Sequence, residues 1–346
     1  MRIVLTALLA FAAGVLLMTL VGRHSPSHVA QGASVASGAS TANNSPAASG
    51  SSSDSDDNSD SNDNWPNQGP SPEQVIYAQP AMLRTALSQL GPRVPGKTNL
   101  YLLTFAGDGG EDVFRNEAEY AAQLFTRRFG PTAHALVLEN NPTTLQTHPL
   151  ADWSNLESAL EGLSAVMNPD QDILVLYLTS HGDEDHNLLV DMDPLPLDQI
   201  GAPDLASIFK KHPFKWKVVV VNACYSGGFI PNLHGTGTLV LTAARSDRSS
   251  FGCGSDSDIT YFGKAWLVDA MNRTDDFVDA FQYAKTDIEG WEKKDKLTPS
   301  EPQINIGEGI VQQLAMWRKD LKPGMAVPFT PPPASASSSN APATAQ

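Results

Sequence analysis

The chain has 346 residues and carries 38 acidic against 23 basic side chains, which gives a formal net charge of −15. This length allows one large domain or two small ones. The negative balance argues against a nucleic-acid binder, because phosphates attract basic surfaces, and we expect no nucleic-acid partner.

The first segment is an apolar run at residues 3–22, long enough to cross about 30 Å of hydrocarbon as a helix. Such a run is typical of an export signal or an uncleaved anchor. The first small-x-small site, Ser34 to Ala36, lies too far along for ready cleavage, so we favour an anchor. Residues 1–23 are therefore predicted as a signal anchor or signal peptide. The protein would then lie in a bacterial inner membrane with its catalytic domain in the periplasm, or be released into the periplasm.

Two further segments have almost nothing apolar to bury. Residues 24–71 form a Ser- and Asp-rich stretch, which predicts a disordered acidic spacer. Residues 322–346 form a Pro-, Ala- and Ser-rich tail, also predicted as disordered. The folded part is then 72–321, a size that commonly makes one α/β domain.

The folded part alternates short apolar runs with longer amphipathic ones, which is typical of βα units around a mostly parallel sheet. Strands are predicted at Asn99–Gly107, His134–Asn141, Asp172–Gly182, Lys215–Cys224 and Gly237–Arg245, with a short extra one at Leu188–Val190. Helices are predicted at Asp112–Phe129, from Asp152 or Ser154 to Met167, and at Ala202–Lys211, Tyr261–Met271 and Thr274–Trp291.

Two residue types that support nucleophilic catalysis follow two of these strands. His181 lies at the end of the third main strand, directly after its apolar run, and Cys224 at the end of the fourth. Reactive groups collect at the carboxyl ends of parallel strands, and a thiolate nucleophile needs an imidazole or another cation nearby. Glycines after each residue, including Gly182, would leave main-chain N–H groups free to stabilise an oxyanion.

Other interpretations compete with this one. Cys224 taken alone is an ordinary buried thiol, and it could pair with Cys253 in a disulfide if the chain is exported. The stretch from His181 to His186, with Asp183 and Asp185, loosely resembles a zinc element. No second histidine cluster follows it, so we expect no metal and no cofactor.

The motifs together resemble the legumain family of cysteine peptidases. A strand ending in Ser-His-Gly and a later one ending in Ala-Cys-x-Ser-Gly carry the likeness, with "LYLLTFAGDGGEDVFRNEAEYAAQLF" before them and "TAARSDRSSFGCGSDSDITYFGKAW" after. The resemblance implies a caspase-like fold, an α/β three-layer sandwich with a mostly parallel central sheet flanked by helices. It also implies that Cys224 is the nucleophile and His181 the general base and acid, with the Gly182 N–H holding the oxyanion.

The same resemblance implies substrate-binding residues. Arg115 matches the arginine of the pocket for the residue before the scissile bond, and Ser249 and Ser250 match a serine pair that binds substrate. Asn222 stands where the family has an acidic residue, and Lys264 replaces another. If both surround Arg115, the lost negative charge favours Asp over Asn as the residue before the cleaved bond.

One departure concerns the histidine. The family carries an asparagine that orients it, and Asp108 stands in that region here, so the role is lost or passes to Asp108.

The predicted function is an exported or membrane-anchored cysteine endopeptidase acting on a protein or peptide substrate through a thioester, after Asp or Asn. A transpeptidase or transamidase using the same acyl-enzyme is the nearest alternative. A non-catalytic binding module of the same fold is an alternative from a different class.

Overall fold

The computed structural model describes residues 65, 66 and 68–334. The predicted membrane segment and nearly all of the predicted spacer lie outside these residues. Among the described residues, no helix combines the length and the apolar character needed to cross a membrane.

A six-stranded sheet forms the centre of the fold, in the order β2-β1-β3-β6-β7-β8. The first five strands in this order are parallel, and β8 pairs antiparallel with β7 at one edge. The strands are β1 (Leu100–Ala106), β2 (Ala133–Glu139), β3 (Ile173–Thr179), β4 (Asn187–Leu188), β5 (Ile200–Gly201), β6 (Lys217–Asn222), β7 (Thr238–Thr242) and β8 (Gln303–Ile306). The short strands β4 and β5 pair with each other outside the main sheet.

Helices cover both faces of the sheet. They are α1 (Pro72–Ser88), α2 (Asp112–Phe129), α3 (Trp153–Val166), α4 (Ala202–Lys211), α5 (Ile230–Leu233), α6 (Tyr261–Gly263), which continues as a π-helix (Lys264–Ala270), α7 (Phe277–Asp295) and α8 (Ile310–Arg318). Local sequence sets several of their starts: Ser71 forms a capping box with Gln74 at α1, and Asp152 caps α3 by accepting from the Asn155 N–H.

The valines of β6 show why the sequences of the central strands are unbroken apolar runs. Val218 and Val220 face the core layer that contains α2, α7 and α8, whereas Val219 and Val221 face the layer that contains α3 and α4. Alternate side chains of a strand point to opposite faces, so a strand covered on both sides must be apolar throughout. The predicted α/β sandwich is therefore confirmed, and the architecture is consistent with the caspase-like fold.

The structure adds elements that the hydrophobic pattern did not indicate. α1 lies in a stretch for which no element was predicted, and β8 and α8 follow the last predicted helix. β8 is an edge strand of four residues, only partly buried or exposed, so its sequence lacks the apolar run that marks the central strands. The helix predicted from Tyr261 is one α-turn followed by a π-helix.

The start of the predicted disordered tail packs on the domain. Val327 is buried, its carbonyl accepts from the Tyr120 hydroxyl, and its N–H donates to Asn272. Phe329 makes an edge-to-face contact with Tyr120. The physical reason for this difference is that two apolar side chains in a low-complexity stretch suffice to fix an extended segment against α2, as far as Pro333.

Candidate active site

The strand register brings three candidate residues together at the carboxyl-terminal ends of the parallel strands. Ala106, Thr179 and Asn222 are paired across β1, β3 and β6. Asp108, His181 and Cys224 each follow two residues later in the chain. Because parallel strands end at the same edge of a sheet, all three lie where ligands of open α/β sheets bind.

Cys224 lies in a half-buried position with hydrogen-bond donors around its sulfur. The Ser250 N–H donates to Cys224 Sγ at 3.2 Å, and the Ser250 hydroxyl lies 3.6 Å away. The Cys253 thiol, the Ser250 groups and the charge of His181 together hold the pKa of Cys224 well below that of a free thiol, and the hydrogen bond from Cys253 is the largest cause. Both cysteines are free. The arrangement favours a thiolate, which is the nucleophilic form of cysteine.

His181 is held between a carboxylate and an aromatic ring. Its Nε2 lies 3.5 Å from Asp108 Oδ2, and Phe114 contacts the imidazole edge-on with ring centroids 5.1 Å apart. Asp108 is itself fixed, since its Oδ1 accepts from the Gly110 N–H at 2.8 Å. Burial raises the pKa of Asp108. The contact supports the prediction that orienting the histidine passes to Asp108.

Gly182 lies directly against the nucleophile candidate. A Cβ built at this position would overlap the carbonyl oxygen of Cys224 and lie 3.1 Å from Ala223 Cβ. Neither the Gly182 N–H nor the Cys224 N–H donates to another main-chain group of the described chain. Both N–H groups are therefore free to donate to a negatively charged oxygen.

Ser249 and Ser250 have different surroundings. Ser250 contacts the sulfur, as described above. Ser249 is exposed and lines a cleft of about 510 Å³, together with Tyr225, Arg248 and Lys296. Tyr225, the residue after Cys224, has a left-handed backbone (φ 55°), so the chain turns sharply directly after the cysteine. The cleft thus begins one residue from the candidate nucleophile.

Arg115 is almost fully buried, at 2% exposure, and its guanidinium already has partners. It donates to Thr143 Oγ1 at 3.0 Å, to Asn116 Oδ1 at 2.9 Å and to the main-chain carbonyl of Pro333 at 3.2 Å. Asp112 lies 3.5 Å away. A substrate carboxylate reaching Arg115 would have to displace the Pro333 carbonyl.

Asn222 lies beneath the site. It is 1% exposed, and its amide donates to Glu117 Oε2 at 2.7 Å. Glu117, on α2, is completely buried and also accepts from Tyr177, Thr179 and Thr260. A direct substrate contact by Asn222 is not supported by this placement, because its amide is used to hold the ends of β3 and β6 together.

Lys264, which replaces an acidic residue of the resembling family, has a carboxylate partner of its own. Its ammonium group is exposed, pairs with Asp269 at 2.6 Å and lies over the Trp291 ring. It lies on the surface of the π-helix, whereas the carboxylate next to Arg115 is that of Asp112.

Sequence reasoning overlooked Glu117 as a residue of the site. Its position among the core-facing residues of α2 was the available signal, because an acidic residue on an apolar helix face needs buried donors. The proposed zinc element forms a turn in which Asp183 accepts from the main chain and side chain of Asn187.

A cysteine beside a histidine is the pairing of nucleophile and general base that cysteine peptidases use. The model of the peptidase C13 family matches residues 154–313, which supports membership of this legumain-like family. The match runs from α3 into α8 and contains His181 and Cys224, whereas Asp108 and Arg115 precede it. No curated protein matches the chain. Family membership supports a cysteine peptidase activity in general.

Proposed function

We propose that the protein is a cysteine endopeptidase in which Cys224 is the nucleophile and His181 the general base and acid. The observation that carries the proposal is the placement of both residues two positions beyond paired residues of neighbouring strands. The lowered pKa of Cys224 and the contact of His181 with Asp108 support it.

The residues would act in a defined order. The Cys224 thiolate attacks the scissile carbonyl, a C–S bond forms, and the carbonyl oxygen becomes an oxyanion that accepts from the Gly182 and Cys224 N–H groups. Because His181 Nε2 faces Asp108, Nδ1 is the nitrogen available for proton transfer. Protonated His181 gives its proton to the leaving amine as the C–N bond breaks. Water activated by neutral His181 then hydrolyses the thioester.

We further propose that the substrate is a protein or peptide cleaved after Asp or Asn. The support is the guanidinium of Arg115, whose fork geometry suits a carboxylate or an amide oxygen. Since Asn222 donates to Glu117 and Lys264 pairs with Asp269, Arg115 alone supports this part of the proposal. A panel of fluorogenic peptides that differ only in Asp, Asn or Ala before the scissile bond tests this part, and equal cleavage after Ala would contradict it.

Covalent labelling tests the catalytic assignment. A peptidyl acyloxymethyl ketone ending in Asp or Asn should label the protein once, with the adduct mapped to Cys224, and His181→Ala should abolish labelling. Cys253→Ala serves as the matched thiol control and should still be labelled. Absence of labelling in the reduced protein, together with a Cys224–Cys253 disulfide in the protein before reduction, would favour the non-catalytic module.

The fate of the acyl-enzyme separates hydrolysis from amine transfer. Mass spectrometry of products formed with an added amine nucleophile should show mainly the hydrolysed peptide. A dominant amine adduct would identify a transpeptidase or transamidase that uses the same residues.

We propose that residues 3–22 anchor the chain in a bacterial inner membrane with the catalytic domain in the periplasm. The length and apolar character of this segment support the proposal. Alkaline extraction of membranes and mass spectrometry of the mature N-terminus test it, and a soluble protein that starts after residue 23 would show a cleaved signal peptide.

A further inference from the structure

Two carboxylates and an imidazole converge where β2 ends against α2. Glu119 comes from α2, Glu139 is the last residue of β2, and His148 lies in the loop 140–152 that follows. One ligand atom from each residue lies within 4.8 Å of the other two. The Glu139 N–H donates to the Pro149 carbonyl at 3.0 Å, which fixes His148 next to Glu139. The cluster is thus built by three separate elements of the fold.

The carboxylate of Glu139 is the buried part of this cluster. Its side chain is 0% exposed. His148 Nδ1 lies 2.9 Å from Glu139 Oε1 and pairs with it when the imidazole is protonated, whereas Glu139 Oε2 has no hydrogen-bond partner among the described residues. A buried carboxylate oxygen without a partner is costly, so such groups are found paired or bound to metal ions.

The cluster brings two carboxylates together beside one imidazole. Carboxylates that repel each other at such a place attract a proton or a cation.

We propose that Glu119, Glu139 and His148 bind a divalent first-row transition ion. One imidazole and two carboxylates suit Zn²⁺ or a similar ion, whereas Mg²⁺ and Ca²⁺ prefer oxygen ligands alone. Metal–ligand distances of about 2.0–2.2 Å place neighbouring ligand atoms about 3 to 3.6 Å apart, which small side-chain rotations would reach from the present spacing. Three protein ligands leave a fourth position for water.

A metal ion bound at this site would connect the loop 140–152 to α2 near Arg115. Glu119 follows Arg115 by one helical turn on α2, and the loop that carries His148 also carries Asn141 and Thr143, which accept from Arg115. A metal ion that joins the loop to α2 would therefore fix the acceptors of the Arg115 guanidinium. The binding itself does not depend on the proposed peptidase activity.

Zn²⁺ binding by the untagged full-length chain tests the proposal. Zn²⁺ also binds thiolates, so all proteins carry Cys224→Ala and Cys253→Ala. After removal of metal by a chelator, calorimetry should show one equivalent of bound Zn²⁺. The Tm should rise by about 5 to 10 °C at a free Zn²⁺ concentration of 100 times Kd, and Mg²⁺ or Ca²⁺ at the same concentration should not reproduce this rise.

His148→Gln and a matched control locate the site. His148→Gln should weaken Zn²⁺ binding by at least about 100-fold, more than the loss of an outer hydrogen-bond partner costs a metal site. His212→Gln, which alters a histidine at the end of α4, should leave the affinity unchanged. Glu139→Gln provides a second ligand variant. Absence of Zn²⁺ binding, or equal affinities in His148→Gln and His212→Gln, would overturn the proposal.

Discussion

The buried carboxylate of Glu117 links the two strand ends that carry Cys224 and His181, and Glu117→Gln tests how much this link contributes. Oε2 accepts from Tyr177, Thr179 and Asn222 at 3.1, 2.6 and 2.7 Å. Oε1 accepts from the N–H and the hydroxyl of Thr260 at 2.8 and 2.6 Å. All five contacts come from donors, so both oxygens are used as acceptors.

A glutamine at this position has only one oxygen. If that oxygen keeps the three donors at the Oε2 position, the new NH₂ group faces the Thr260 N–H, and a buried main-chain donor loses its partner. Two hydrogen bonds to a charged group are worth about 3 to 6 kcal/mol together. Glutamine avoids burying a charge, which burial already disfavours because it raises the pKa of Glu117, so we expect a net loss of about 2 to 4 kcal/mol.

Urea denaturation followed by tryptophan fluorescence measures this loss. The Cm should fall with an unchanged m value, and the Tm should fall by roughly 10 °C. Glu161→Gln, on the exposed face of α3, is the matched control and should stay within about 0.5 kcal/mol of the parent protein. If Glu117→Gln were as stable as Glu161→Gln, the Glu117 network would not hold the strand ends together.

Three further outcomes follow from the site and the tail. Cys253→Ala removes the main cause of the lowered Cys224 pKa, so the acidic limb of the plot of kcat/KM against pH should move to higher pH. Cys253→Ser keeps a hydrogen-bond donor and should move this limb less. Identical profiles for the parent protein and both variants would refute the role of Cys253 in lowering the Cys224 pKa. Gly182→Ala should lower kcat/KM by at least about 100-fold, because its Cβ overlaps the Cys224 carbonyl and displaces an oxyanion donor; near-normal activity would contradict the placement. Deleting residues 324–346 removes buried Val327, so the Tm should fall by about 5 °C or more in thermal denaturation, and an unchanged Tm would show that the segment adds no stability.

The sheet and the candidates His181 and Cys224 could be predicted from the sequence because the patterns that indicate them are local. The apolar runs of β3 and β6 predicted buried strands, and Cys224 and His181 follow those runs directly. The helix boundaries Asp112–Phe129 and Ala202–Lys211 were also predicted correctly. A short motif at the end of a continuous hydrophobic strand needs no knowledge of distant contacts.

The contacts that surround the candidate active site could not be predicted from the sequence, since each joins residues far apart in the chain. Glu117 accepts from Thr260, 143 positions later, and Arg115 donates to Pro333, 218 positions later. Asn222 was expected to bind substrate because it stands where the resembling family has an acidic residue, yet its side chain is buried and donates to Glu117.

The equal spacing of Asp108, His181 and Cys224 beyond paired residues of three strands has a consequence for protein engineering. Their mutual positions depend on strand register, so one residue inserted within β1, β3 or β6 would shift a single member by about 3.3 Å and turn it to the opposite face. The amino-terminal ends of the same strands lie on the opposite side of the sheet from these three residues. The exposed turn around Gly96, just before β1, is therefore where new termini or an inserted reporter domain should be accepted with the reactive edge unchanged.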